Sequence, residues 1–505
     1  MTELLVACVL LPPVVAGLLV WTREGRTAEL MASGALALAV LAGLVLAVSV
    51  LAGVELPGGR LVGGRLVVFD GVVVIDAFGA YLLGLTCTVS AMAMAASPRY
   101  IRHELASGVL LARVEGRYYA LLLWFVASLL AVPLLDNLGL LWVAIEATTV
   151  VSALLVGITR TPDAIEAAWK YLILGTVGVG FALLGTLLIY ASSVQVLGQS
   201  SDALNWTRLI SIAPSLNPSL LRLAFVFALA GYGTKIGLVP FHTWLPDAHS
   251  QAPSPISALL SGVSITAALY ALIRFHLVAV DGLGSDFSST LLIAFGLLSL
   301  AVALPFMIRQ EDLKRLLAYS SIEHMGILAL GVGFGGPLAL LGVVLHMGLH
   351  ALTKATLFLS AGELVQQYGS RRLSAIRGTL TGAPVAGGVL GTGILMLGGL
   401  PPSGIFATEF AIIVGGVVAG HAVAAAVAAV LLALAFAALA FHGTRLMWGR
   451  RGKDAGVSHV ARAGRGMALR LAAPLVLVAA VGLWTPGPIA NALDAIRAVL
   501  GVTVG

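Results

Sequence analysis

Residues 231–264 combine one lysine with a proline-interrupted backbone inside otherwise apolar sequence. Lys235 closes an apolar run, Pro240 follows it, and apolar sequence resumes only after Pro255. At membrane depth a charge costs about 3 kcal/mol or more, and unpaired backbone groups are also costly unless they line a cavity or face protein. The pattern predicts a discontinuous helix at a transporter-type ion site. The alternative is a loop between two helices whose lysine extends to the membrane interface.

A second group of ionisable side chains lies in the run HMGLHALTKATLF. His346, His350 and Lys354 follow one another at i, i+4 and i+8, so on an α-helix they drift by only about 40° per step and share one face. Imidazole titrates near neutral pH, and the row therefore predicts a proton carrier. Zinc binding by the two histidines is the alternative, and the lysine on the same face argues against it because a cation repels the metal.

Glu146 lies in the middle of the apolar run LLWVAIEATTVVSALLVGI. A carboxylate inside a membrane span is a candidate functional residue by default. The alternative is a carboxylate whose hydrogen bonds come from the neighbouring Thr148 and Thr149. We interpret Glu146 as part of the ion path.

A second proline break occurs in LMLGGLPPSGIFATEF, where Pro401 and Pro402 interrupt an apolar run just before Glu409. The motif IEHMG adds His324 beside Glu323. These residues predict a buried polar line along the membrane instead of one isolated site. Its candidate proton-carrying members are Glu146, Lys235, His324, His346, His350, Lys354 and Glu409.

The composition defines the class of protein. Of 505 residues, 59% are hydrophobic and only 10% are charged, whereas soluble domains carry about 25% charge. Cys8 and Cys87 form no metal-spaced cluster, and no nucleotide-binding glycine motif is present, so we expect no cofactor and no metal in this chain. The net charge of +6 comes from basic residues that flank apolar runs, so we expect no nucleic-acid partner.

The fold class expected is an all-α integral membrane protein, one membrane domain over residues 1–505. Apolar segments long enough to span a bilayer number about fourteen. They lie near 3–20, 28–51, 71–96, 118–135, 138–158, 171–192, 220–246, 255–279, 289–307, 316–333, 337–361, 383–418, 422–443 and 469–486. The first carries no charged leader and no small-residue cleavage site, so we expect a retained helix.

Basic residues support an even number of spans. With the N-terminus placed outside, the predicted inner loops contain 21 of the 29 lysines and arginines, as the positive-inside rule requires. An error of one span would disturb this alternation. We therefore expect both termini on the outer side of the cell (inner or plasma) membrane.

The two interrupted spans, the seventh and the twelfth, lie five spans apart. An odd offset makes corresponding helices enter the membrane from opposite sides, which is typical of inverted repeats. We expect two five-helix repeats, spans 4–8 at residues 118–279 and spans 9–13 at residues 289–443. Residues 1–96 and 469–505 are then peripheral helices.

Four motifs resemble one family closely: KIGLVPFHTWLPDAHSQAPSPISALL, DLKRLLAYSSIEHMG, HMGLHALTKATLFLSAG and GGLPPSGIF. They are similar to the antiporter-like subunits of respiratory complex I, Mrp-type Na+/H+ antiporters and membrane-bound hydrogenases. Within that family, WVAIEATTVVSALLVGI, EAAWKYLILGTVGVGFALLGTLLIYA and FVFALAGYGTKIGLVPFHTWLPDAHS most resemble hydrogenase-4 component F, of the formate hydrogenlyase type. The resemblance covers residues 70–490.

The resemblance implies a 14-helix proton-translocating subunit. Glu146 then matches the glutamate that modulates the central lysine, here Lys235, and Lys354 matches the connecting lysine. Glu409 matches the charged residue that gates the exit half-channel. The histidines of the central hydrophilic axis are matched by His324 and His350.

One position departs from the family pattern. Complex I relatives often carry histidine within SALLH in span 8, where this chain has Ser261 in SALLS. Proton transfer near Lys235 would then need water or a hydroxyl group, and the residues of the inner half-channel stay open.

The resemblance also implies partners. Other membrane subunits, membrane lipids and a peripheral redox module are expected, with iron–sulfur clusters and, in a hydrogenase, nickel–iron in the partner subunits. Alternatives stay open: an autonomous Mrp-type Na+/H+ antiporter, the membrane partner of a CO2- or bicarbonate-capturing complex, or a hydrogenase-related complex without nickel. The electron donor and acceptor, H+ versus Na+, and the direction of transport also stay open.

Overall fold

The computed structural model describes residues 2–57, 59–450, 465–484 and 487–500. Within these ranges the chain is almost entirely helical, and twelve helices are long and apolar enough to cross a membrane. Three shorter apolar helices accompany them, at Pro384–Leu397, Gly404–Val418 and Ala468–Leu483. The chain is a multi-pass integral membrane protein.

The N-terminal part contains three long helices and a small antiparallel sheet. The elements are α1 (Thr2–Val20), α2 (Gly25–Leu51), β1 (Arg60–Val62), β2 (Arg65–Val68), β3 (Val73–Ile75) and α3 (Ala77–Ala106). Gly63 and Gly64, both with positive φ, form the two-residue turn between β1 and β2, as tight hairpins require. Sequence patterning missed this sheet.

The predicted third span, 71–96, begins too early. Val73–Ile75 pairs with β2 as the third strand, and the helix starts only at Ala77. Asp76 sets this start because its Oδ1 accepts a hydrogen bond from the backbone N–H of Gly79 at 2.7 Å, which caps the helix.

The next eight helices carry residues 115–283. They are α4 (Glu115–Ala131), α5 (Leu138–Val156), α6 (Pro162–Leu197), α7 (Trp206–Ile212), α8 (Pro218–Ile236), α9 (Trp244–Gln251), α10 (Ser254–Leu259) and α11 (Ile265–Leu283). A π-helical turn, Leu260–Ser264, joins α10 to α11. Side chains at the first positions define several starts, because Asn137, Thr161 and Asn217 accept backbone N–H groups of the following turn.

The first interruption of a membrane helix separates α8 from α9. Gly237 adopts φ 86° and ends α8 immediately after Lys235 and Ile236, since this left-handed conformation suits glycine. Pro240 lies in the non-helical segment before α9 begins at Trp244. The break places a lysine in the last turn of a helix inside the protein.

Nine further helices complete the described part of the chain. They are α12 (Ser285–Ile308), α13 (Leu313–Phe334), α14 (Gly336–Tyr368), α15 (Thr379–Gly382), α16 (Pro384–Leu397), α17 (Gly404–Val418), α18 (Ala422–Trp448), α19 (Arg465–Leu483) and α20 (Gly487–Val499). Pro401 and Pro402 lie in the interruption between α16 and α17. Ser403 restarts the helix, because its Oγ accepts the N–H of Ile405 at 3.1 Å.

The centre of the bundle is formed by α10, α11 and α13, whose apolar stretches are completely enclosed by protein. By contrast, α6 and α18 carry rows of exposed apolar side chains, such as Trp169, Phe181 and Val430. Polar side chains in the central helices are therefore shielded from lipid, which is where ionisable residues of membrane proteins normally lie.

A buried ion pair connects two distant helices. Arg274 of α11 donates from Nη2 to Asp76 Oδ1 at 2.7 Å and to the Tyr270 hydroxyl at 2.8 Å. The guanidinium stacks 3.8 Å above the ring of Trp206. Both charged side chains are fully buried, so this contact holds α3, α7 and α11 together.

If α16 and α17 are counted as one interrupted span and α19 as the last, the helices agree with the fourteen predicted segments. That grouping, the inverted repeats at 118–279 and 289–443, and the peripheral role of 1–96 and 469–505 stay predictions.

Candidate functional site

Lys235 lies near the C-terminal end of α8 and only 1% of it is exposed. Its Nζ donates to the Tyr171 hydroxyl at 2.6 Å and to Thr149 Oγ1 at 3.0 Å. The ammonium also lies 5.1 Å from the centroid of the Tyr171 ring. The lysine is therefore held by neutral hydroxyls from α5 and α6.

Glu146 lies on the same helix as Thr149, three residues earlier, and is half-buried. Its Oε2 atom is buried and has no hydrogen-bond partner among the described residues. The Thr176 side chain hydrogen-bonds to its carboxylate, and Lys235 acts on the carboxylate through space. Within the described ranges the structure contains no direct ion pair between Glu146 and Lys235, because the two hydroxyls occupy the lysine instead.

Three helices bring a second set of predicted residues together. His324 of α13 and His346 of α14 share a hydrogen bond of 3.0 Å between Nδ1 and Nε2. The other ring nitrogen of His346, Nδ1, lies 2.9 Å from Thr408 Oγ1 of α17. Glu409 follows Thr408, and its Oε1 lies 3.8 Å from His324 Nδ1.

His350 completes the row of imidazoles. Its ring centroid lies 5.1 Å from that of His324 and 6.2 Å from that of His346. Neither ring nitrogen has a hydrogen-bond partner in the described part of the chain, although the side chain is fully buried. A buried polar group without a partner is unusual, so these nitrogens are available for a transferred proton or for water.

Lys354 lies one turn beyond His350 and is also fully buried. Its Nζ donates to the backbone carbonyl of Leu317 at 2.8 Å and to Ser320 Oγ at 2.5 Å, both on α13. As with Lys235, the directly bonded atoms are neutral oxygens.

Glu323 belongs to this assembly, although the sequence pattern only noted it beside His324. Its Oε2 lies 3.4 Å from His324 Nε2, and its carboxylate interacts electrostatically with Lys354 and Glu409. We define the histidine cluster by its six members: Glu323, His324, His346, His350, Lys354 and Glu409.

Sequence reasoning assigned no role to Tyr171 or His249. A tyrosine in an apolar run carries no recognisable spacing, so Tyr171 could not be found without the packing of α6 on α8. His249 is completely buried on α9, stacks 4.8 Å from the Phe358 ring, and has two unpartnered ring nitrogens within the described chain. The polar run before Pro253 could have identified it.

Ser261, the departure from the family pattern, lies in the π-helical turn between α10 and α11. Its Oγ is 2.8 Å from Ser321 Oγ of α13. Ser321 neighbours Ser320, which binds Lys354. The hydroxyl thus contacts α13 and forms no hydrogen bond to Lys235 in the described structure.

One group of side chains could hold a metal ion. Ligand atoms of His324, His346 and Glu409 all lie within 4.8 Å of one another. However, His324 Nδ1 and His346 Nε2 share a hydrogen bond, so one of these two nitrogens carries a proton and cannot bind a metal. Of the pair considered from sequence, His346 belongs to this group and His350 does not. A metal-free chain stays a prediction.

Comparison with known proteins shows the family to which the chain belongs. A family model described as the transmembrane part of NADH:quinone oxidoreductase and Mrp antiporters matches residues 136–435. Because this match covers more than half of the chain, the chain belongs to that family. It is an antiporter-like membrane subunit of the kind found in complex I, Mrp and hydrogenase-type complexes.

Two proteins of this family are similar to the chain in sequence. The chain is 43% identical over 321 residues to a hydrogenase-4 component F homolog of Methylacidiphilum infernorum, a match that covers 63% of this chain and 67% of the relative. It is 35% identical over 309 residues to NADH-quinone oxidoreductase subunit N of Desulforudis audaxviator, covering 60% of this chain and 59% of that protein. The chain thus spans about three fifths of the second relative.

Solved structures share the fold over nearly the whole chain. A subunit of the archaeal membrane-bound sulfane sulfur reductase superposes with a TM-score of 0.83 at 22% identity, covering 99% of this chain and 98% of that one. A subunit of the Mrp complex from Dietzia sp. gives 0.80 at 21% identity, covering 99% and 97%. For Thermus thermophilus complex I the values are 0.73 and 23%, covering 96% and 97%.

Proposed function

We propose that this chain translocates protons as a membrane subunit of a multi-subunit, redox-driven complex of the membrane-bound hydrogenase, formate hydrogenlyase or complex I type. The observation that supports this most directly is the 3.0 Å hydrogen bond between His324 and His346 inside a fully buried cluster of imidazoles, carboxylates and a lysine. The relatives named above, which include a hydrogenase component and a quinone oxidoreductase subunit, support the assignment to such a complex.

The imidazole pair can pass a proton without bulk water. In a neutral imidazole one ring nitrogen donates and the other accepts. His346 contacts His324 through Nε2 and Thr408 through Nδ1, so a proton accepted at one nitrogen can leave from the other. Glu409, beside Thr408 and 3.8 Å from His324, is the acceptor at this end of the cluster.

Lys354 lies at the other end of the histidine cluster from Glu409, where the proposed proton path begins. A buried ammonium without a directly bonded carboxylate is costly, and the two neutral oxygens at Lys354 compensate only part of that cost. His350 lies one helical turn away on the same face, and its free ring nitrogens can receive the proton. Transfer then proceeds from Lys354 through His350 and the His324–His346 pair towards Glu409.

Lys235 and Glu146 form the control element of the proposed mechanism. The Glu146 carboxylate stabilises the charged lysine through space, whereas Tyr171 and Thr149 hold the ammonium in place. When the carboxylate is neutralised or moves, burial favours release of the lysine proton. The conformational or electrostatic change that starts this step comes from a partner redox module, which would also carry the iron–sulfur or nickel–iron groups.

The surroundings of Glu146 support a membrane partner. The face of α5 that carries this half-buried carboxylate also exposes apolar residues such as Val143, Val150 and Leu154. A carboxylate next to lipid costs about 3 kcal/mol or so at the bilayer centre. A second membrane subunit that covers this face removes the penalty, and in the assembled complex such a subunit lies there, in the cell membrane.

The proposal is tested with the assembled complex in proteoliposomes, where luminal pH is measured during redox turnover. We expect His346→Gln to lower proton movement per turnover about tenfold or more, because glutamine cannot relay a proton. His442→Gln is the matched control, since His442 is a buried histidine that contacts the Met307 carbonyl outside the histidine cluster.

Equal proton movement in wild type and His346→Gln, at equal turnover, would contradict the proposed path. Exchange that needs Na+ and no redox substrate would favour an autonomous Mrp-type antiporter instead. Copurification with a cysteine- and histidine-rich zinc protein, without flavin or iron–sulfur, would favour a CO2-capturing complex.

A further inference from the structure

A groove of about 640 Å³ lies between α2, α3, α14, α19 and α20. Its walls include Leu51, Leu85, Leu349 and Val481, and it is partly open to the surroundings. Asn491 and Tyr81 are the lining residues with polar side chains. The Tyr81 hydroxyl is already engaged, since it donates to the Val344 carbonyl at 2.7 Å.

The chemistry of the walls determines what can fill this space. Water inside an apolar groove lacks the two or more polar partners that ordered water requires. The groove is built mainly by helices long and apolar enough to span the bilayer, so its open side faces hydrocarbon. A volume of this size accommodates a ligand of several hundred Å³, and a flexible acyl chain matches both the shape and the polarity.

The rim of the groove offers a place for a polar head group. Helix α20 packs against α3 and α14, and its Leu493 and Ile496 face the groove. Arg497 follows the groove-lining Ile496; it donates from Nη1 to Asp494 at 3.0 Å, whereas its buried Nε has no partner among the described residues. Asn491, which lines the groove, is exposed six residues earlier, nearly two turns away. An amphipathic helix with such a rim is typical of the membrane interface.

We propose that the groove binds one acyl chain of a phospholipid, whose phosphate lies against Arg497 and Asn491 of α20. The chain fills the apolar groove, and the basic side chain at its rim matches the charge of the phosphate. The groove contains none of the proposed proton-carrying residues, and its test requires no proton measurement.

The position of the groove gives the lipid a role. Its floor is the face of α14 that carries Leu345, Leu349 and Leu352, and His346 and His350 lie on the adjoining face of the same helix. An acyl chain there covers this face of α14 and packs against its leucines. The bound lipid therefore seals the outer wall of the histidine cluster.

The experiment uses the assembled complex in vesicles of phosphatidylethanolamine and phosphatidylglycerol that contain a phosphatidylglycerol with a photoreactive group in the acyl chain. After irradiation, adducts are mapped by peptide mass spectrometry. We expect them to be concentrated on the groove segments of α14, α19 and α20. Ala492→Trp, which fills the groove, should reduce this labelling several-fold, and Arg497→Gln should reduce it as well.

Ala426→Trp is the matched control, because Ala426 is exposed on α18 away from the groove. This variant should leave the labelling of α14 unchanged. Labelling spread evenly over exposed helices, or unaffected by Ala492→Trp, would overturn the lipid site. Cross-links from these residues to another subunit would show that protein fills the groove, and unchanged labelling in Arg497→Gln would overturn the head-group assignment.

Discussion

Lys235 is a buried lysine whose hydrogen-bond partners carry no charge. Its ammonium is bound by two hydroxyls, from Tyr171 and Thr149, while Glu146 acts only through space. A directly bonded carboxylate would hold the proton firmly. In the proposed mechanism, the hydroxyl ligands fix the position of the lysine and leave its protonation to the influence of Glu146.

We expect Lys235→Arg to abolish proton translocation nearly as completely as Lys235→Ala, because arginine does not release its proton at accessible pH. Glu146→Gln should impair translocation less, since the lysine can still titrate. The measurement is luminal pH in proteoliposomes, with redox turnover and subunit assembly monitored in parallel.

Lys170→Arg is the control for this substitution. Lys170 is half-exposed and forms ion pairs with Glu166 at 2.6 Å and Asp247 at 3.3 Å, which arginine can also form. Full pumping by the Lys235→Arg variant would mean that Lys235 is an anchor and not a proton carrier.

Residue spacing revealed part of the site. The i, i+4, i+8 spacing places His346, His350 and Lys354 along one side of α14, and the structure puts all three in the buried interior. Spacing within one helix cannot show which helices meet, so the His324–His346 bond across α13 and α14 could not be derived. The two hydroxyls at Lys235 were missed for the same reason.

Two glycines, one on α6 and one on α8, determine how closely these helices approach each other. A Cβ atom on Gly231 would lie 2.3 Å from the backbone nitrogen of Ala182, and one on Gly185 would lie 2.7 Å from the carbonyl of Ala224. Such close backbone contact is the usual function of small residues between membrane helices. It brings Tyr171 of α6 within hydrogen-bonding distance of Lys235.

Gly231→Ala should therefore destabilise the protein by about 1–3 kcal/mol, as overpacking does, and should weaken proton translocation by moving Lys235 away from Tyr171. Thermal unfolding of the purified complex provides the measurement. Gly180→Ala on α6 is the control, because a Cβ at Gly180 meets no atom within 4 Å. Equal melting temperatures for the two variants would show that the α6–α8 contact tolerates the extra methyl group.

The sequence predicted the two helix interruptions but not the small sheet. Prolines make the interruptions at Pro240 and Pro401 visible, since proline disrupts a helix interior. The sheet formed by β1, β2 and β3 was missed because its strands of three or four residues are too short to display alternation. Residues 73–75 read as the start of an apolar helix, and only the capping contact of Asp76 separates strand from helix.

For the molecule as a whole, the charge distribution predicts that both termini lie outside. In a variant free of Cys8 and Cys87, a cysteine added after Gly505 should react with a membrane-impermeant reagent applied to intact cells. A cysteine near Arg465, in the predicted inner loop, should not react until the membrane is opened. The reverse pattern would contradict the fourteen-span topology.

Composition and motifs predicted an integral membrane protein of this family. A chain with only 10% charged residues has far fewer charges than a soluble domain. Family membership now rests on the match to residues 136–435. The contacts between helices could not be obtained in this way. The α3–α11 connection, for example, depends on single residues at sites that share no local pattern.

That connection also bears on the order in which the protein is made. Asp76 and Arg274 are 198 residues apart, so α3 leaves the ribosome long before its counter-charge exists. Throughout this interval the Asp76 carboxylate must stay hydrated at the membrane edge, because a lone buried charge is strongly disfavoured. The start of α3 can therefore take its final buried position only after α11 has been inserted. The contact that joins α3 to α11 thus forms only after the eight helices from α4 to α11 have been synthesised.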